Sequence, residues 1–320
     1  MLRSSLIYLS KADWARQIVT NWDFAQRAAA RFVAGETLEQ AIQAVQTLNK
    51  KGINATLDHL GEHTNSPEAA QKATQAILEM VDAIEQGGIR SNISIKLSQI
   101  GLSIDQDLCS ENLLQILSYA RKHNIFVRID MEDSPWVDST LGLYRKMRDQ
   151  EGLTNSGVVI QASLFRSEQD IRKLAHEGTR VRLCKGAYKE PPEIAFPKKN
   201  DVNMNYDRLA AMLIDGSSNC GAVEGSVDGR TPPIPAIASH DPARLAAARA
   251  YVEKIGLPKA AIEFQMLYGI RRDLQEQMVT SGYPVRVYVP FGTEWYPYYV
   301  RRLAERPANV WFFISNYFRK

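Results

Sequence analysis

Short apolar runs recur along this chain, and stretches with helical spacing separate them. The runs fall at residues 53–57, 93–97, 125–129, 158–160, 181–183, 234–238, 261–264 and 285–289. Each is brief and bounded by polar, Gly or Pro residues, which predicts buried strands. Helix signals lie between them. Ser66-Pro67-Glu68 sets a capping residue before a proline at the first helical position and predicts a helix to about Gln86, ended by Gly87-Gly88. Ser110 reads as the start of a helix to His123, and Ser167, with Asp170 three residues on, as the start of another. Asp241-Pro242 repeats the cap-then-proline device ahead of a helix over Arg244 to Ile255, which Gly256 ends. Strands alternating with helices predict parallel βαβ units, and eight of them predict a closed (β/α)8 TIM barrel.

Two regions stand outside the alternation. Residues 11–50 carry apolar positions at helical spacing, among them Ala41, Ile42, Val45 and Leu48. Residues 1–52 are therefore expected to form a leading helical segment, and 53–320 the barrel. Residues 216–233 are rich in Gly, Ser and Pro without apolar period, and read as a flexible surface loop before the sixth strand.

Composition narrows the class. At 320 residues, 45% hydrophobic and 23% charged, the chain can bury a full globular core. A net charge of +3 without any Lys/Arg block argues against nucleic acid as a partner. Cys109, Cys184 and Cys220 are too few and scattered for a disulfide framework or a zinc site, and fit a reducing cytoplasm. The first ten residues run straight into Lys11 and Asp13, unlike a signal peptide. No run approaches the ~20 apolar residues of a membrane span. Composition leaves peripheral membrane contact open.

In barrels of this kind, reactive groups sit at the C-terminal ends of strands. Those positions hold Lys96, Asp130 followed by Met131, Gln161, Arg182 with Lys185-Gly186-Ala187, Ser239-His240, Gln265 and Tyr288. A strand-to-helix segment beyond the eighth strand adds Arg301, Arg302 and Glu305. Adjacent guanidinium groups are costly without an anion beside them, and Arg grips carboxylates with paired hydrogen bonds. Counting Lys96, Arg182, Lys185, Arg301 and Arg302 against Asp130 and Glu305, the rim is expected to be cationic and to attract an anionic small molecule. A lysine followed by glycine past a strand suits a phosphate or the edge of a flavin. Neither a Gly-x-Gly-x-x-Gly nor a Walker pattern occurs. His59-Leu60-Gly61-Glu62-His63 matches an inverted zinc-peptidase pattern, but its glycine and its place after a strand predict a loop. Sequons at Asn54 and Asn92 fall on expected buried strands. The aromatic residues Trp295, Tyr296, Tyr298 and Tyr299 are expected to dock the last helix on the barrel.

Taken together these motifs resemble the proline dehydrogenase family, in its short monofunctional bacterial form. The resemblance runs from about Ala55 to Asn309 and rests on Ala55-Thr56-Leu57-Asp58, Ser94-Ile95-Lys96-Leu97-Ser98, Arg128-Ile129-Asp130-Met131-Glu132, Val159-Ile160-Gln161-Ala162, Arg182-Leu183-Cys184-Lys185-Gly186-Ala187-Tyr188, Ala238-Ser239-His240-Asp241, Glu263-Phe264-Gln265-Met266-Leu267 and the segment from Tyr288 to Glu305. It implies a distorted barrel with extra N-terminal helices and a C-terminal helix over the active site. It further implies FAD as cofactor and oxidation of L-proline to Δ1-pyrroline-5-carboxylate, the first step of proline catabolism to glutamate. Hydride would pass to flavin N5 and electrons to a membrane quinone.

By position, Arg301 and Arg302 would clamp the proline carboxylate with Lys96, Glu305 would hold Arg301 in place, and Tyr288 would pack over the ring. Asp130 and Arg182 would be catalytic, with Arg182 near flavin N5. Met131, Gln161, Lys185, Gly186, Ala187, Ser239 and His240 would hold the flavin. Peripheral association with the inner membrane and a functional link to a pyrroline-5-carboxylate dehydrogenase would follow. Cys184, Ser239 and Tyr268 depart from the family's more usual aliphatic residue, threonine and histidine. On the residues alone, a Schiff-base aldolase using Lys96 or Lys185 and a non-enzymatic flavin or proline sensor stay as alternatives.

Overall fold

The computed structural model describes residues 29–305. After helix α1 (Leu38–Asn49), strands and helices alternate: β1 (Asn54–His59), α2 (Pro67–Gln86), β2 (Ser91–Ile95), α3 (Gln106–Lys122), β3 (Val127–Ile129), α4 (Val137–Asp149), β4 (Ser156–Gln161) and α5 (Ser167–His176). They continue with β5 (Val181–Cys184), α6 (Lys199–Asn219), β6 (Pro235–Ala238), α7 (Pro242–Ile255), β7 (Glu263–Leu267), α8 (Arg272–Thr280), β8 (Val285–Phe291) and α9 (Trp295–Glu305). All eight strands are parallel and close into a barrel in chain order, with β8 paired to β1. Every strand expected from the apolar runs is present. Among the described residues, no helix is long and apolar enough to cross a membrane.

The helix starts follow capping chemistry. Thr37 and Gln40 form a capping box on α1, and Ser66 caps α2 just ahead of Pro67. Asp241 caps α7, and Gly256 ends it in the left-handed region at φ 71°. One expected start differs, and one expected cap is not made although its helix starts at Ser167 as expected. Helix α3 begins before Ser110, where Asp105 takes the Leu108 amide, and Ser110 is buried within it. Ser167 does not cap α5; its hydroxyl donates to the Gln161 carbonyl.

The walls are built on a two-residue alternation. Leu57, Ile93, Ile95, Val127, Ile129, Val181, Leu183, Phe264, Val287 and Val289 are fully buried against the helices. Each such side chain contributes about 1.5–3 kcal/mol on burial. The alternate residues carry polar groups that meet across the barrel's interior. Asp130 of the β3 end bonds Arg182 of β5, Arg182 bonds Gln265 of β7, and Arg286 of β8 bonds Glu263 of β7. Partners on strands that are not neighbours can meet only through the middle, so this barrel is filled by hydrogen-bonded polar side chains in place of the usual aliphatic layers.

Helix α1 packs against β1 and β8 and covers the wall there. The helix after β8 is thereby free to lie elsewhere. Helix α9 joins a second apolar cluster, with Trp295, Tyr296, Tyr298, Tyr299 and Val300 packed on Ala29, Phe32, Val33 and Leu60. The aromatic residues thus dock the helix, as their pattern suggested.

Residues 216–233 are only in part the surface loop expected: 220–228 are irregular and largely exposed, but both ends differ. Residues 216–219 complete α6. The remainder is anchored at the N-terminal end of the barrel: Arg286 donates to the Gly229 carbonyl at 2.7 Å, Arg180 to Pro232 at 2.8 Å, and Arg230 to the His123 carbonyl. Gly229 has φ +70°, and a Cβ there would come within 2.4 Å of Asn54 Oδ1. Anchoring through carbonyl groups leaves no apolar period for sequence reading to find.

Arg286 and Glu263 are each 1% exposed and pair at 2.8 Å. Breaking a buried pair from one side strands the other charge. Arg286→Met is expected to cost about 3–5 kcal/mol of stability in denaturant unfolding, and adding Glu263→Gln to recover part of that loss.

Candidate active site

The strand ends converge on Asp130. Its Oδ1 accepts from Arg182 Nη1 at 2.9 Å and from Ser94 Oγ at 2.7 Å; its Oδ2 accepts from Tyr288 Oη at 2.8 Å. Lys96 Nζ lies 3.7 Å from Oδ2 and donates to Tyr288 Oη at 3.3 Å and to Asp58 Oδ1 at 2.9 Å. Arg182 also stacks its guanidinium over the Tyr288 ring at 5.2 Å and donates to Gln265 at 2.6 Å. Burial works against charge on Lys96, but Asp58, Asp130 and Glu62 outweigh it and hold its pKa well above the ordinary lysine value. Burial, with Asp130 and Asp58 beside it, likewise keeps the Tyr288 phenol protonated.

A second group follows β4, β5 and β6. Gly186 has φ +108°, and a Cβ there would fall 2.2 Å from Ser163 Oγ and 3.2 Å from Gln161 Oε1, so only glycine fits this turn. Gln161 Nε2 donates to the Glu132 carbonyl at 2.8 Å. Lys185 Nζ is shared between Asn203 at 2.6 Å and Asp241 at 2.8 Å. Asp241 also caps α7 through its other oxygen, so the same carboxylate fixes helix and lysine. Ser239 Oγ accepts from the Asp241 amide, and His240 Nε2 accepts from the Leu267 amide at 2.8 Å.

Helix α9 forms the roof. Arg301 places Nη1 and Nη2 on the two oxygens of Glu62, at 3.0 and 2.7 Å. Burial opposes ionisation of Glu62, yet Arg301 and Lys96 bring its carboxyl below the usual range. Arg302 lies over the Tyr298 ring at 5.2 Å. Glu62 belongs to the segment after β1 that carries the zinc-like pattern; β1 runs to His59, α2 starts only at Pro67, and the segment between is a loop.

These three groups face one cavity of about 620 Å³, within the range of cofactor and small-molecule sites. Its wall includes Lys96, Asp130, Met131, Gln161, Arg182, Lys185, Gly186, Ala187, Ser239, His240, Tyr288, Arg301 and Arg302. Of the residues singled out from sequence, only Glu305 is missing from this account, because its side chain lies outside the described residues. Arg301 is held by Glu62, the job expected of Glu305.

The cations at the rim are also more fully paired than sequence counting suggested. Asp58 pairs with Lys96, Glu62 with Arg301, and Asp241 with Lys185. Sequence reasoning missed these carboxylates as charge partners. A signal existed: Asp58 and Glu62 flank the end of the first strand, four residues apart.

Comparison with known proteins agrees with this geometry. Residues 41–314 match the family model described as Proline dehydrogenase. The chain is 38% identical over 320 residues to Proline dehydrogenase of Deinococcus radiodurans, covering 98% of this chain and 97% of that one. It is 36% identical over 311 residues to Proline dehydrogenase 2 of Bacillus subtilis, covering 97% and 96%. Among solved structures, proline utilization A (PutA) from Bdellovibrio bacteriovorus inactivated by N-propargylglycine superposes with a TM-score of 0.79 at 27% identity, over 91% of this chain. The present chain spans about a third of that longer one, 34% of its length. With the closed barrel, the ringed Asp130 and the arginine-bearing roof helix, these matches show that the chain belongs to the proline dehydrogenase family.

Proposed function

We propose that this chain is an FAD-dependent L-proline dehydrogenase that forms Δ1-pyrroline-5-carboxylate and passes electrons to a quinone. The observation that carries the reading is the meeting of three cations, Lys96, Arg301 and Arg302, with Asp130, Tyr288 and the Gly186 turn around one cavity. Family membership supplies the reaction class.

The residues present fit FAD. Gly186 lets the turn pack on Ser163 and Gln161 while its own backbone lines the cavity, and Arg182, Gln161 and Lys185 bring donors to the same wall. Met131, Val159, Met266 and Leu267 add apolar surface suited to a flat ring system. Met131, Gln161, Arg182, Lys185, Gly186, Ala187, Ser239 and His240 would hold it. Bound FAD supplies the acceptor for the substrate's hydride and the route of its electrons to a quinone.

The chain's own residues supply position and electrostatics. Arg301, Arg302 and Lys96 would hold the carboxylate and fix the ring carbon next to nitrogen toward the acceptor. Tyr288 would press on the ring, its hydroxyl already tied to Asp130. Arg182 would bring positive charge to where negative charge grows during transfer. Asp130 bonds both Arg182 and Tyr288 and would be the catalytic carboxylate. Glu62 holds Arg301 at both nitrogens, so the roof helix would close over substrate as that pair adjusts. A Schiff-base reading is less well supported: Lys96 is held cationic, a protonated amine does not attack a carbonyl, and Lys185 is tied to Asp241 and Asn203. The labile product would pass to a separate pyrroline-5-carboxylate dehydrogenase, and the quinone would be met at a peripheral membrane contact.

The purified protein should show flavin absorption that bleaches on adding L-proline. A colourless preparation, inactive after FAD is supplied, would falsify the reading. Gly186→Val should lose bound flavin, measured as flavin-to-protein ratio, while the fold seen by circular dichroism persists. Arg301→Met or Arg302→Met should raise KM for proline about tenfold to a hundredfold, as loss of a charge-assisted hydrogen bond implies, with kcat reduced less. Unchanged proline affinity in both variants would remove the clamp assignment.

A further inference from the structure

Asp58 ends the inward face of β1 and is 1% exposed. One of its oxygens accepts from Lys96 Nζ at 2.9 Å; the other, Oδ2, is buried with no hydrogen-bond partner. A buried carboxylate using half its acceptors is costly in any fold. Burial duly pushes the Asp58 carboxyl above the ordinary range, against the pull of Lys96. An apolar residue would fill the same space without that cost. Asp58 does not line the cavity, whereas Lys96 does. Asp58 would therefore act on a ligand indirectly, through Lys96, to which it is hydrogen-bonded, with Tyr288 as the other cavity residue that feels its charge.

We propose that Asp58 is a positioning residue, whose carboxylate keeps the Lys96 ammonium charged and aimed across the cavity so that Lys96 can meet the substrate carboxylate. The proposal rests on the assignment of Lys96 to that carboxylate under Proposed function. Geometry supports it twice. The ammonium is tied back to Asp58 at 2.9 Å and sideways to Tyr288 at 3.3 Å, which fixes where it points. Asp130, the other carboxylate beside it, is 3.7 Å away and already accepts from Arg182, Ser94 and Tyr288. Asp58 is therefore the carboxylate given over to the lysine.

Around Lys96 stand Asp58 and His59 on β1, Glu62 on the loop after it, Asp130 and Glu132 after β3, Tyr188 after β5 and Tyr288 on β8, with Arg182 of β5 paired to Asp130 and Arg301 of α9 paired to Glu62. Burial is the strongest influence on Lys96 and lowers its pKa; Asp58 is the first of the carboxylates that overcome it. With its pKa raised, Lys96 stays protonated through neutral and mildly alkaline pH. Asp58→Asn removes the leading counter-charge while burial remains, so Lys96 should lose its proton at a lower pH in the variant.

The test uses flavin-loaded chain and tetrahydrofuran-2-carboxylate, which keeps proline's ring and carboxylate but has no titrating amine. Its Kd would be measured calorimetrically from about pH 6 to about pH 10, the span in which the shifted lysine titrates. Wild type should show a flat Kd. Asp58→Asn should bind nearly as well at the acid end, then weaken about tenfold per pH unit above the new Lys96 titration. A weakening independent of pH would mean a merely structural role and would overturn the proposal.

Lys96→Met separates the two levels of the argument. If it leaves Kd unchanged, the assignment of Lys96 to the carboxylate fails, and the role of Asp58 with it. If it weakens binding while Asp58→Asn stays flat with pH, only the Asp58 proposal falls. Should Asp58→Asn not fold, the double variant Asp58→Asn/Lys96→Met carries no unpaired charge and should fold and bind as Lys96→Met does. A double variant that fails to fold, or binds more weakly than Lys96→Met, shows Asp58 acting other than through Lys96.

Discussion

Asp130 draws hydrogen bonds from β2, β5 and β8 at once, through Ser94, Arg182 and Tyr288. One carboxylate thus sets the mutual distance of three walls of the cavity. It does not act alone. From Arg182 the bonding passes to Gln265, from Gln265 to Glu263, and from Glu263 to Arg286, which reaches the Gly229 carbonyl at the opposite end of the barrel. A continuous polar chain therefore runs down the barrel axis. Its members are nearly all buried, so each has to be satisfied by the next. The rigidity needed to aim small groups over a ligand comes from this chain as much as from the sheet.

The same arrangement explains the electrostatics of the site. Lys96, Arg182, Lys185 and Arg301 each have a carboxylate partner within the protein. An anion bound as proposed would meet cations whose positions are already fixed by internal counter-charges, so little reorganisation would be needed to receive it. The cost is competition: a substrate carboxylate bound as proposed would share each cation with a resident one. That balance favours a small anion presented to several cations at once over a tight grip by any one of them.

Most of the architecture was legible in the sequence because it rests on apolar period and capping residues. The eight strands follow from runs such as Val285–Val289, and α2 and α7 from Ser66-Pro67 and Asp241-Pro242. What escaped was carried by contacts without local pattern. Arg286, Arg180 and Arg230 pin the 220–233 segment through backbone carbonyls, which no side-chain spacing records. The start of α3 was misplaced because Ser110 resembles a cap, while Asp105 makes the bond. The residues facing the cavity were legible from strand ends. The pairing of their counter-ions, Asp58, Glu62 and Asp241, was not, because it depends on how neighbouring strand ends and the roof helix are brought together, which spacing within one segment does not record. The roles of the site residues came from the family resemblance and not from spacing.

The placement of α1 on the wall between β8 and β1 has a consequence for how such an enzyme can change over time. In a regular barrel the last helix seals the wall, so altering it threatens closure. Here a helix from earlier in the chain does the sealing, and α9 is attached mainly through Trp295, Tyr299 and their neighbours against residues 29–33. Sealing and roofing are separate tasks carried by separate segments. The seating of the roof is thereby open to change through the aromatic contacts without loss of barrel closure, while the Arg301–Glu62 pair ties the same helix to the site.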